Sequence, residues 1–246
     1  MEILKTSQDI PYLTTAQMVE VDRIMMQDFK IELIQMMENA GRNLAHLARV
    51  RFLDDDPTGK KIVVLAGTGG NGGGALVCAR RLHNWGARVQ VFLSRPDEDF
   101  AQVPAHQLDI VRRMGIPVAL VQEILSGEPP DLVIDGLIGY SLKGAPRGSA
   151  ADLIRWANQQ PAPVLALDAP SGVDTTTGFV YDPAIRATAT LTLALPKEGL
   201  RAVNVKPVVG ELYLADISVP PQLYEKAVPG MIVGALFAES EILRLW

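Results

Sequence analysis

Two amphipathic helices are predicted at the start of the chain from the spacing of its apolar residues. The first begins in the sequence TTAQ, a capping box in which Thr14 caps the helix and Gln17 reaches back to it. Its apolar face comprises Met18, Val21, Ile24 and Met25. The second helix is predicted from about residue 32 to residue 52, with an inward face formed by Leu33, Met36, Met37, Ala40, Leu44 and Leu47.

Further along the chain, short runs of apolar and β-branched residues alternate with segments of helical periodicity. The predicted strands are residues 62–66, 88–93, 118–121, 132–134, 164–167, 187–195 and 210–218. The predicted helices between them are residues 75–85, 104–114 and 149–159. This alternation predicts an α/β fold, a Rossmann-like three-layer αβα sandwich with a mostly parallel sheet. We predict one domain over residues 1–246, with a core at about 12–221 and a C-terminal tail at 222–246 that forms either a dimer contact or a docked helix.

A glycine-rich sequence, GTGGNG, lies between the first of these strands and the next helix. It fits the pattern G-x-G-x-x-G at Gly67, Gly69 and Gly72, in which backbone N–H groups and a helix N-terminus approach a phosphate. A tight turn without a ligand is the alternative. An NAD-dependent dehydrogenase would also need an acidic residue about 20 residues further on. The second strand instead ends in Leu-Ser-Arg-Pro, where Arg95 either faces a 2′-phosphate or is merely solvated, so the dehydrogenase hypothesis is weakened.

The composition of the chain favours a soluble globular protein over nucleic-acid-binding, disulfide-rich and membrane-spanning proteins. The 246 residues are 48% hydrophobic with a net charge of −5, which fits one sizeable core and argues against a nucleic-acid partner. Cys78 is the single cysteine, so neither a disulfide framework nor a cysteine-based metal site is expected. The N-terminal sequence shows no export signal, and no apolar run is long enough for a membrane span. We therefore expect a soluble cytoplasmic protein that does not bind a membrane.

Polar residues follow three of the predicted strands, at the ends where parallel sheets bind ligands. Asn71 follows the first strand, Asp135 and Asp168 each end a later apolar run, and Ser171 comes shortly after Asp168. Either aspartate could instead cap a following helix. The oxygens of Asn71, Asp135 and Ser171 are too weakly charged for a tight divalent site but suit a loosely held monovalent cation.

Other candidate catalytic groups are less well placed. The three histidines all fall inside predicted helices: His46, His83 and His106. Ser141 does not lie in a G-x-S-x-G elbow, so acyl transfer is disfavoured. Lys143 and Arg147 lie in a loop punctuated by glycine and proline, where they either meet phosphates and serve as acids or are simply solvated.

Five stretches of the chain are distinctive as a set, because they occur in order and at fitting distances. They are LIQMMENAGRNLA, VVLAGTGGNGGGALVCARRL, LVIDGLIGYSLKGAPRG, LALDAPSGVDTTTG and TLALPKEGL with GELYLADISVPP. Together they resemble the NAD(P)H-hydrate epimerase family, which includes the apolipoprotein-binding protein, from about residue 12 to residue 221. Larger members of the family have a fused dehydratase domain of kinase-like fold, and we expect the epimerase domain alone here.

The resemblance implies a Rossmann-like homodimer that interconverts the C6 epimers of hydrated NADH and NADPH, in functional partnership with a separate dehydratase. It implies that Asn71, Asp135 and Ser171 hold one potassium ion per subunit. The implied substrate pocket consists of Gly70, Asn71, Gly72, Gly73, Gly74, Gly139, Tyr140, Ser141, Leu142, Lys143, Gly144, Ala145 and Asp168. Asp168 is the first candidate for the catalytic acid–base group, and Lys143 is a weaker partner because a lysine holds its proton firmly at neutral pH.

The chain departs from the resembled family in the glycine loop, where other members have Asn-Asn-Gly-Gly-Asp-Gly. The same positions here are Gly70, Asn71, Gly72, Gly73, Gly74 and Ala75. Backbone contacts survive this change, whereas a hydrogen bond, a charge or a water molecule held by the missing side chains does not. Two functions therefore remain open, an active epimerase and a catalytically weakened nucleotide-binding or scaffold module of the same fold.

Overall fold

The computed structural model describes residue 3, residues 5–6, residues 9–121 and residues 128–246. Its strands, in chain order, are β1 (Lys61–Ala66), β2 (Arg88–Leu93), β3 (Val118–Leu120), β4 (Leu132–Gly136), β5 (Val164–Leu167), β6 (Ala189–Leu193), β7 (Glu211–Ala215) and β8 (Ile242–Arg244). They form one sheet in the order β3-β2-β1-β4-β5-β6-β7-β8, and every neighbouring pair except β7 and β8 is parallel. The mostly parallel sheet is confirmed, although Asp135, expected just after its strand, lies inside β4.

The first five described helices correspond to predicted ones, and the last two, which are short, were not predicted. They are α1 (Thr15–Gln27), α2 (Leu33–Phe52), α3 (Gly70–Asn84), α4 (Gln102–Arg113), α5 (Gly148–Gln159), α6 (Lys206–Val209) and α7 (Pro221–Ala227), with 3-10 turns at Asp97–Asp99, Glu198–Arg201 and Val203–Val205. The capping box of α1 is confirmed, since the Thr14 hydroxyl accepts from the Gln17 N–H at 3.2 Å and the Gln17 side chain accepts from the Thr14 N–H at 2.8 Å. Within the described residues, no helix is long and apolar enough to cross a lipid bilayer.

Helices cover both faces of the sheet because successive strand residues point to opposite sides. On one face, Ile62 and Val64 of β1 pack against apolar residues of α2, α3 and α4. On the other face, Val63 and Leu65 pack against Leu153 and its neighbours on α5. The result is the three-layer αβα sandwich that the sequence predicts.

The order of the strands reverses next to β1. From β1 the chain passes to β2 and β3 on one side, and it then returns to β4 on the other side of β1. At such a reversal the connections leave in opposite directions, and a crevice opens at the carboxyl ends of the strands. The segments that follow β1 and β4 therefore face each other across a gap.

The last part of the tail, residues 231–246, adds a strand to the sheet, whereas residues 222–227 belong to α7, whose Leu223 and Tyr224 are buried. In β8, Arg244 lies opposite Tyr213 of β7 in antiparallel register, and the Trp246 indole donates to the Gly210 carbonyl at 2.9 Å. An open edge of β7 would leave backbone N–H and C=O groups unpaired, and β8 satisfies them. The expectation of a docked terminal helix is therefore wrong for residues 231–246, and a dimer contact through the tail stays a prediction.

Candidate active site

A cleft of about 550 Å³ lies at the carboxyl ends of the parallel strands. One wall, the helical wall, is formed by residues of α1 and α2: Met18, Asp22, Leu33, Met36, Met37 and Ala40. The opposite wall is formed by the segments that follow β1, β2, β4, β5 and β6. A largely apolar surface thus faces a polar one, an arrangement that suits a flat ring attached to a charged chain.

Helix α3 begins at Gly70, five residues earlier than predicted, so the expected glycine loop is the first part of the helix. Close packing explains the glycines. A Cβ at Gly72 would lie 1.7 Å from the Gly67 carbonyl oxygen, and one at Gly73 would lie 2.6 Å from Met37 Sδ. The glycines therefore let α3 approach both β1 and α2, and the N-terminus of α3 opens onto the cleft.

Asp135 is fully buried and is held by donors from two loops. Its carboxylate accepts from the Ser171 N–H at 2.8 Å, the Ser171 hydroxyl at 2.7 Å and the Leu137 N–H at 3.1 Å. Burial raises the pKa of Asp135 to about 6, and these hydrogen bonds oppose the rise. Asp135 forms no ion pair with any residue that the structure describes, so its negative charge is compensated by hydrogen bonds alone.

Asn71 and Asp168 are brought together around a glycine backbone. The Asn71 amide donates to the Leu167 carbonyl at 2.9 Å, which turns its oxygen away from that strand end. A Cβ at Gly139 would lie 3.0 Å from Asn71 Oδ1 and 3.3 Å from Asp168 Oδ2. Both oxygens therefore approach the segment after β4 closely, and a Cβ at Gly139 would be tightly packed against them.

Asp168 forms a buried ion pair with Lys197, a residue that the sequence analysis did not single out. The side chains of Lys197 and Asp168 are 1% and 5% exposed. Lys197 also donates to the Leu193 carbonyl at 3.0 Å, and Asp168 accepts from the Tyr140 N–H at 3.2 Å. Asp168 has a left-handed φ of 65°, which aspartate tolerates, and the resulting turn at the end of β5 directs its carboxylate to the cleft.

A second carboxylate, Asp22 of α1, lies on the helical wall. It accepts a short hydrogen bond from the Tyr140 hydroxyl. Burial raises the pKa of Asp22, while the Tyr140 hydrogen bond and the charge of Lys197 lower it. The pKa of Tyr140 is also raised, by burial first and then by the charge of Asp22.

The cleft includes part of the predicted substrate pocket. Six of the predicted residues line it: Gly70, Asn71, Gly139, Tyr140, Ser141 and Asp168. The others, all described, do not: Gly72, Gly73, Gly74, Leu142, Lys143, Gly144 and Ala145. The three glycines are buried by neighbouring elements, and Lys143 is exposed. Ser94 and Arg95, at the end of β2, do line the cleft.

Lys197 and Asp22 line the cleft but were not singled out from the sequence, although the sequence contained a pattern that pointed to each of them. Lys197 follows β6 much as Asp168 follows β5, so the argument from strand ends applied to it as well. Asp22 lies on the apolar face of α1, between Met18 and Met25 at helical spacing. A carboxylate on such a face is rarely buried without a partner or a function. The three histidines, in contrast, lie in α2, α3 and α4 as predicted.

Comparison with known proteins identifies relatives over most of the chain. The family model described as YjeF-related protein N-terminus matches residues 33–199. The NAD(P)H-hydrate epimerase of Dehalogenimonas lykanthroporepellens is 43% identical over 220 residues, which cover 89% of this chain and 87% of that protein. The NAD(P)H-hydrate epimerase of Rhodopirellula baltica is 33% identical, with 90% of each chain covered. The bifunctional NAD(P)H-hydrate repair enzyme Nnr of Salinibacter ruber is 33% identical, and the match covers 90% of this chain but 44% of Nnr.

A solved structure shares the fold. The crystal structure of the yeast protein ynu0 (YNL200c) superposes with a TM-score of 0.80 and covers 96% of this chain and 100% of the yeast chain. The two sequences are 23% identical, so this similarity establishes the shared architecture alone.

Proposed function

The chain belongs to the NAD(P)H-hydrate epimerase family, and on this premise we propose that it interconverts the R and S epimers, at C6 of the nicotinamide ring, of hydrated NADH and NADPH. This is an isomerase reaction of nicotinamide nucleotide repair. The observation that supports it most is the buried Asp168–Lys197 pair in a cleft at the reversal of strand order. A dehydrogenase is disfavoured because the acidic residue that would hold a ribose hydroxyl is missing after β2.

The cleft offers different surfaces to the two parts of a dinucleotide. The N-terminus of α3, at Gly69 and Gly70, provides free backbone N–H groups for the diphosphate. The helical wall provides an apolar surface for the nicotinamide ring, and Tyr140 lies between this wall and Asp168. Substrate contact by residues 72–74 and 142–145, which lie away from the cleft surface, stays a prediction.

The reaction needs an acid–base group near C6. The hydrate has a hydroxyl beside the ring nitrogen, whose lone pair helps to expel it and leaves an iminium-like carbon. Water that returns from the opposite face inverts the carbon. A positioned acid–base group contributes roughly 10²–10⁴-fold, and we assign this role to Asp168. Lys197 holds the Asp168 carboxylate in place, while catalysis by Lys143, which is exposed, stays a prediction.

We propose that a potassium ion is held by the oxygens of Asn71, Asp135 and Ser171, as the family resemblance implies. The Asp135 carboxylate is fully buried, its pKa is raised by burial, and it forms no ion pair with a described residue. A buried charge of this kind is stabilised by a counter-ion. The Ser171 hydroxyl, which is bonded to Asp135 at 2.7 Å, adds a neutral oxygen beside this carboxylate. When bound, potassium would supply positive charge beside the cleft and join the segments that follow β4 and β5.

The altered glycine loop by itself favours a weakened module, but the packing around it is compatible with an active enzyme. Gly74 replaces the family's aspartate, and it is buried away from the cleft. A Cβ at Gly74 would lie 2.8 Å from Leu167 Cδ2, so an aspartate in this chain would meet a core side chain. Gly70, which replaces an asparagine, stays on the cleft surface and allows close approach of the backbone.

The protein's partners are proposed from its relatives. The relatives named bifunctional NAD(P)H-hydrate repair enzymes are more than twice as long as the part that this chain matches. We infer that this chain works together with a separate dehydratase. A homodimer with one potassium ion per subunit, in the cytoplasm, is proposed on the family resemblance.

A coupled assay tests the proposed function. A mixture of the hydrate epimers is treated with a dehydratase that consumes one epimer, and conversion stops when that epimer is exhausted. Adding this protein should restore full conversion, and replacing potassium by sodium should slow it. Binding of the nucleotide without restored conversion would instead identify a weakened binding module.

A further inference from the structure

We propose that Asp22 and Tyr140 form a second acid–base pair for the epimerisation, on the helical wall of the cleft and opposite Asp168. The inference rests on the proposed function and deepens it, since each wall of the cleft would serve one face of the nicotinamide ring. The family resemblance gave Asp22 no role, and it gave Tyr140 the role of a substrate contact only.

The position of Asp22 on α1 places its side chain in the cleft. It lies one turn after Met18 and one turn before Met25, on the face of the helix that packs inwards. Met18 and Asp22 line the cleft, whereas Met25 is buried in the core. A carboxylate therefore interrupts an otherwise apolar wall, where it faces the strand ends.

Tyr140 connects this carboxylate to the opposite wall. Its hydroxyl donates a short hydrogen bond to Asp22, and its backbone N–H donates to Asp168 at 3.2 Å. Its ring centre lies 5.7 Å from Lys197 Nζ. Asp22 and Asp168 thus stand on either side of one aromatic residue, and a flat ring bound between the two walls presents one face to each.

Asp22 and Glu211 both accept a hydrogen bond from a tyrosine hydroxyl, but only Glu211 is also paired with an arginine. Glu211 also accepts from a tyrosine hydroxyl, that of Tyr213 at 2.8 Å, but it is paired with Arg51 at 2.9 Å, which holds its pKa below the usual range. Asp22 forms no ion pair with a described residue, and burial raises its pKa. Asp22 is therefore the better placed of the two carboxylates to exchange a proton near neutral pH.

Four titratable groups surround Asp22 and set its protonation. The Tyr140 hydroxyl and the charge of Lys197 favour the ionised form, and the charge of Asp168 opposes it. Tyr224 lies on α7, and its pKa is raised by burial and also by the charge of Asp22. Burial is the largest of the effects that raise the pKa of Asp22, and the nearby Asp168 carboxylate adds to it, so both favour the protonated form of Asp22.

The reaction balances if Asp22 gives up one proton and Asp168 takes up another. Protonated Asp22 gives its proton to the departing hydroxyl as the C6–O bond breaks, and a water molecule leaves on that side. The lone pair of the ring nitrogen forms the C=N bond of the iminium. A water molecule on the other side then forms the new C6–O bond and gives a proton to Asp168, which leaves the protonation states that the reverse reaction requires.

Substitution of Asp22 by Asn provides the first test. Asn keeps an oxygen that accepts from Tyr140 but cannot take up or release the transferred proton. In the coupled assay we expect kcat to fall roughly 10²-fold while KM stays within about threefold. Asp152→Asn, which changes an exposed carboxylate on α5, is the matched control and should keep the wild-type rate. Circular dichroism and thermal melting would establish that both variants fold.

Substitution of Tyr140 by Phe provides the second test. It also tests the acid–base role of Asp22 if the D22N variant does not fold. The change removes the hydrogen bond that lowers the pKa of Asp22, so the limb of the pH–rate profile due to Asp22 should move to higher pH. Tyr213→Phe removes a similar tyrosine–carboxylate bond outside the cleft and should leave the profile unchanged. A bond that only supports the fold would alter stability without moving the limb.

The outcomes separate this proposal from the proposed function. Full activity of D22N, an unmoved limb in Y140F, or an effect of D22N on KM alone would overturn the second acid–base pair and leave the epimerase standing. Failure of the wild-type protein to restore conversion of either hydrate would overturn the epimerase, and the second pair with it.

Discussion

The charged groups are buried at one end of the cleft and exposed at the other. At the end formed by β5 and β6, Asp168 and Lys197 are buried and bonded to each other. At the β2 end, Arg95 is 69% exposed, and its ion pair with Asp99 is loose at 3.7 Å. A buried pair is fixed before the substrate arrives, whereas an exposed ion pair contributes little and can be exchanged for a ligand. On the proposed function, we therefore expect the chemistry at the first end and recognition of the substrate at the second.

The distance between these ends fits one extended substrate. β1 and β4 lie between β2 and β5 in the sheet, so three strand spacings, about 14 Å, separate them. A dinucleotide with its nicotinamide ring at Asp168 would pass the N-terminus of α3 and bring its adenosine half towards Ser94 and Arg95. Substitutions at the first end should therefore abolish turnover, and those at the second should change substrate preference.

The largest effect is expected from Asp168→Asn. The variant loses the proposed acid–base group, so the rate of epimerisation should fall by roughly 10²–10⁴-fold. Asn retains an oxygen that can accept from Lys197, so the variant should still fold by circular dichroism, although it should lose stability because the Lys197 charge stays buried without its partner. Asp152→Asn is again the matched control. A fully active D168N protein would show that the buried pair supports the structure and takes no part in the chemistry.

Much of the fold was predictable because it depends on local patterns. The continuous apolar run from Ile62 to Leu65 predicts a strand with two buried faces, and the capping box at Thr14 predicts the start of α1. The start of α3 was not predictable in this way. The glycines before residue 75 pack closely against distant parts of the chain, Gly73 against Met37 of α2 and Gly74 against Leu167 of β5.

The site was only partly predictable, because its strongest contacts join distant parts of the chain. Asn71, Asp135, Asp168 and Ser171 were found since each follows or ends a strand. The partner of Asp168 is 29 residues away along the chain, and Asp22 is separated from Tyr140 by 118 residues. No periodicity relates such positions, so the pairs become visible only when the sheet places them side by side.

Substitution of the buried Lys197 and of the exposed Lys143 should change the free energy of unfolding by very different amounts. Lys197→Met leaves the Asp168 carboxylate buried without its partner, which should lower the free energy of unfolding by about 3–5 kcal/mol. Lys143→Met changes an exposed side chain, and its effect on stability should stay within about 0.5 kcal/mol. Urea denaturation of both variants measures the difference.

The double variant D168N/K197M tests whether the lysine acts through Asp168. Removing both charges should recover part of the stability that K197M loses, because neighbouring substitutions couple through the contact they share. Strictly additive losses would contradict a direct pair. A larger loss of kcat in K143M than in K197M would indicate that Lys143 takes part in catalysis.

The smallest effect is expected from Arg95→Ala, at the recognition end. If the guanidinium meets the 2′-phosphate of the NADPH hydrate, losing one charge-assisted hydrogen bond should cost roughly 1.5–3 kcal/mol, and kcat/KM for that substrate should fall at least tenfold. The NADH hydrate has no 2′-phosphate, so its kcat/KM should not change. Arg113→Ala is the matched control, because Arg113 is exposed and pairs with Asp109 at a spacing of four residues, as Arg95 does with Asp99. Equal losses for both hydrates would mean that Arg95 contacts a group common to the two substrates, and no loss would mean that the adenosine half lies elsewhere.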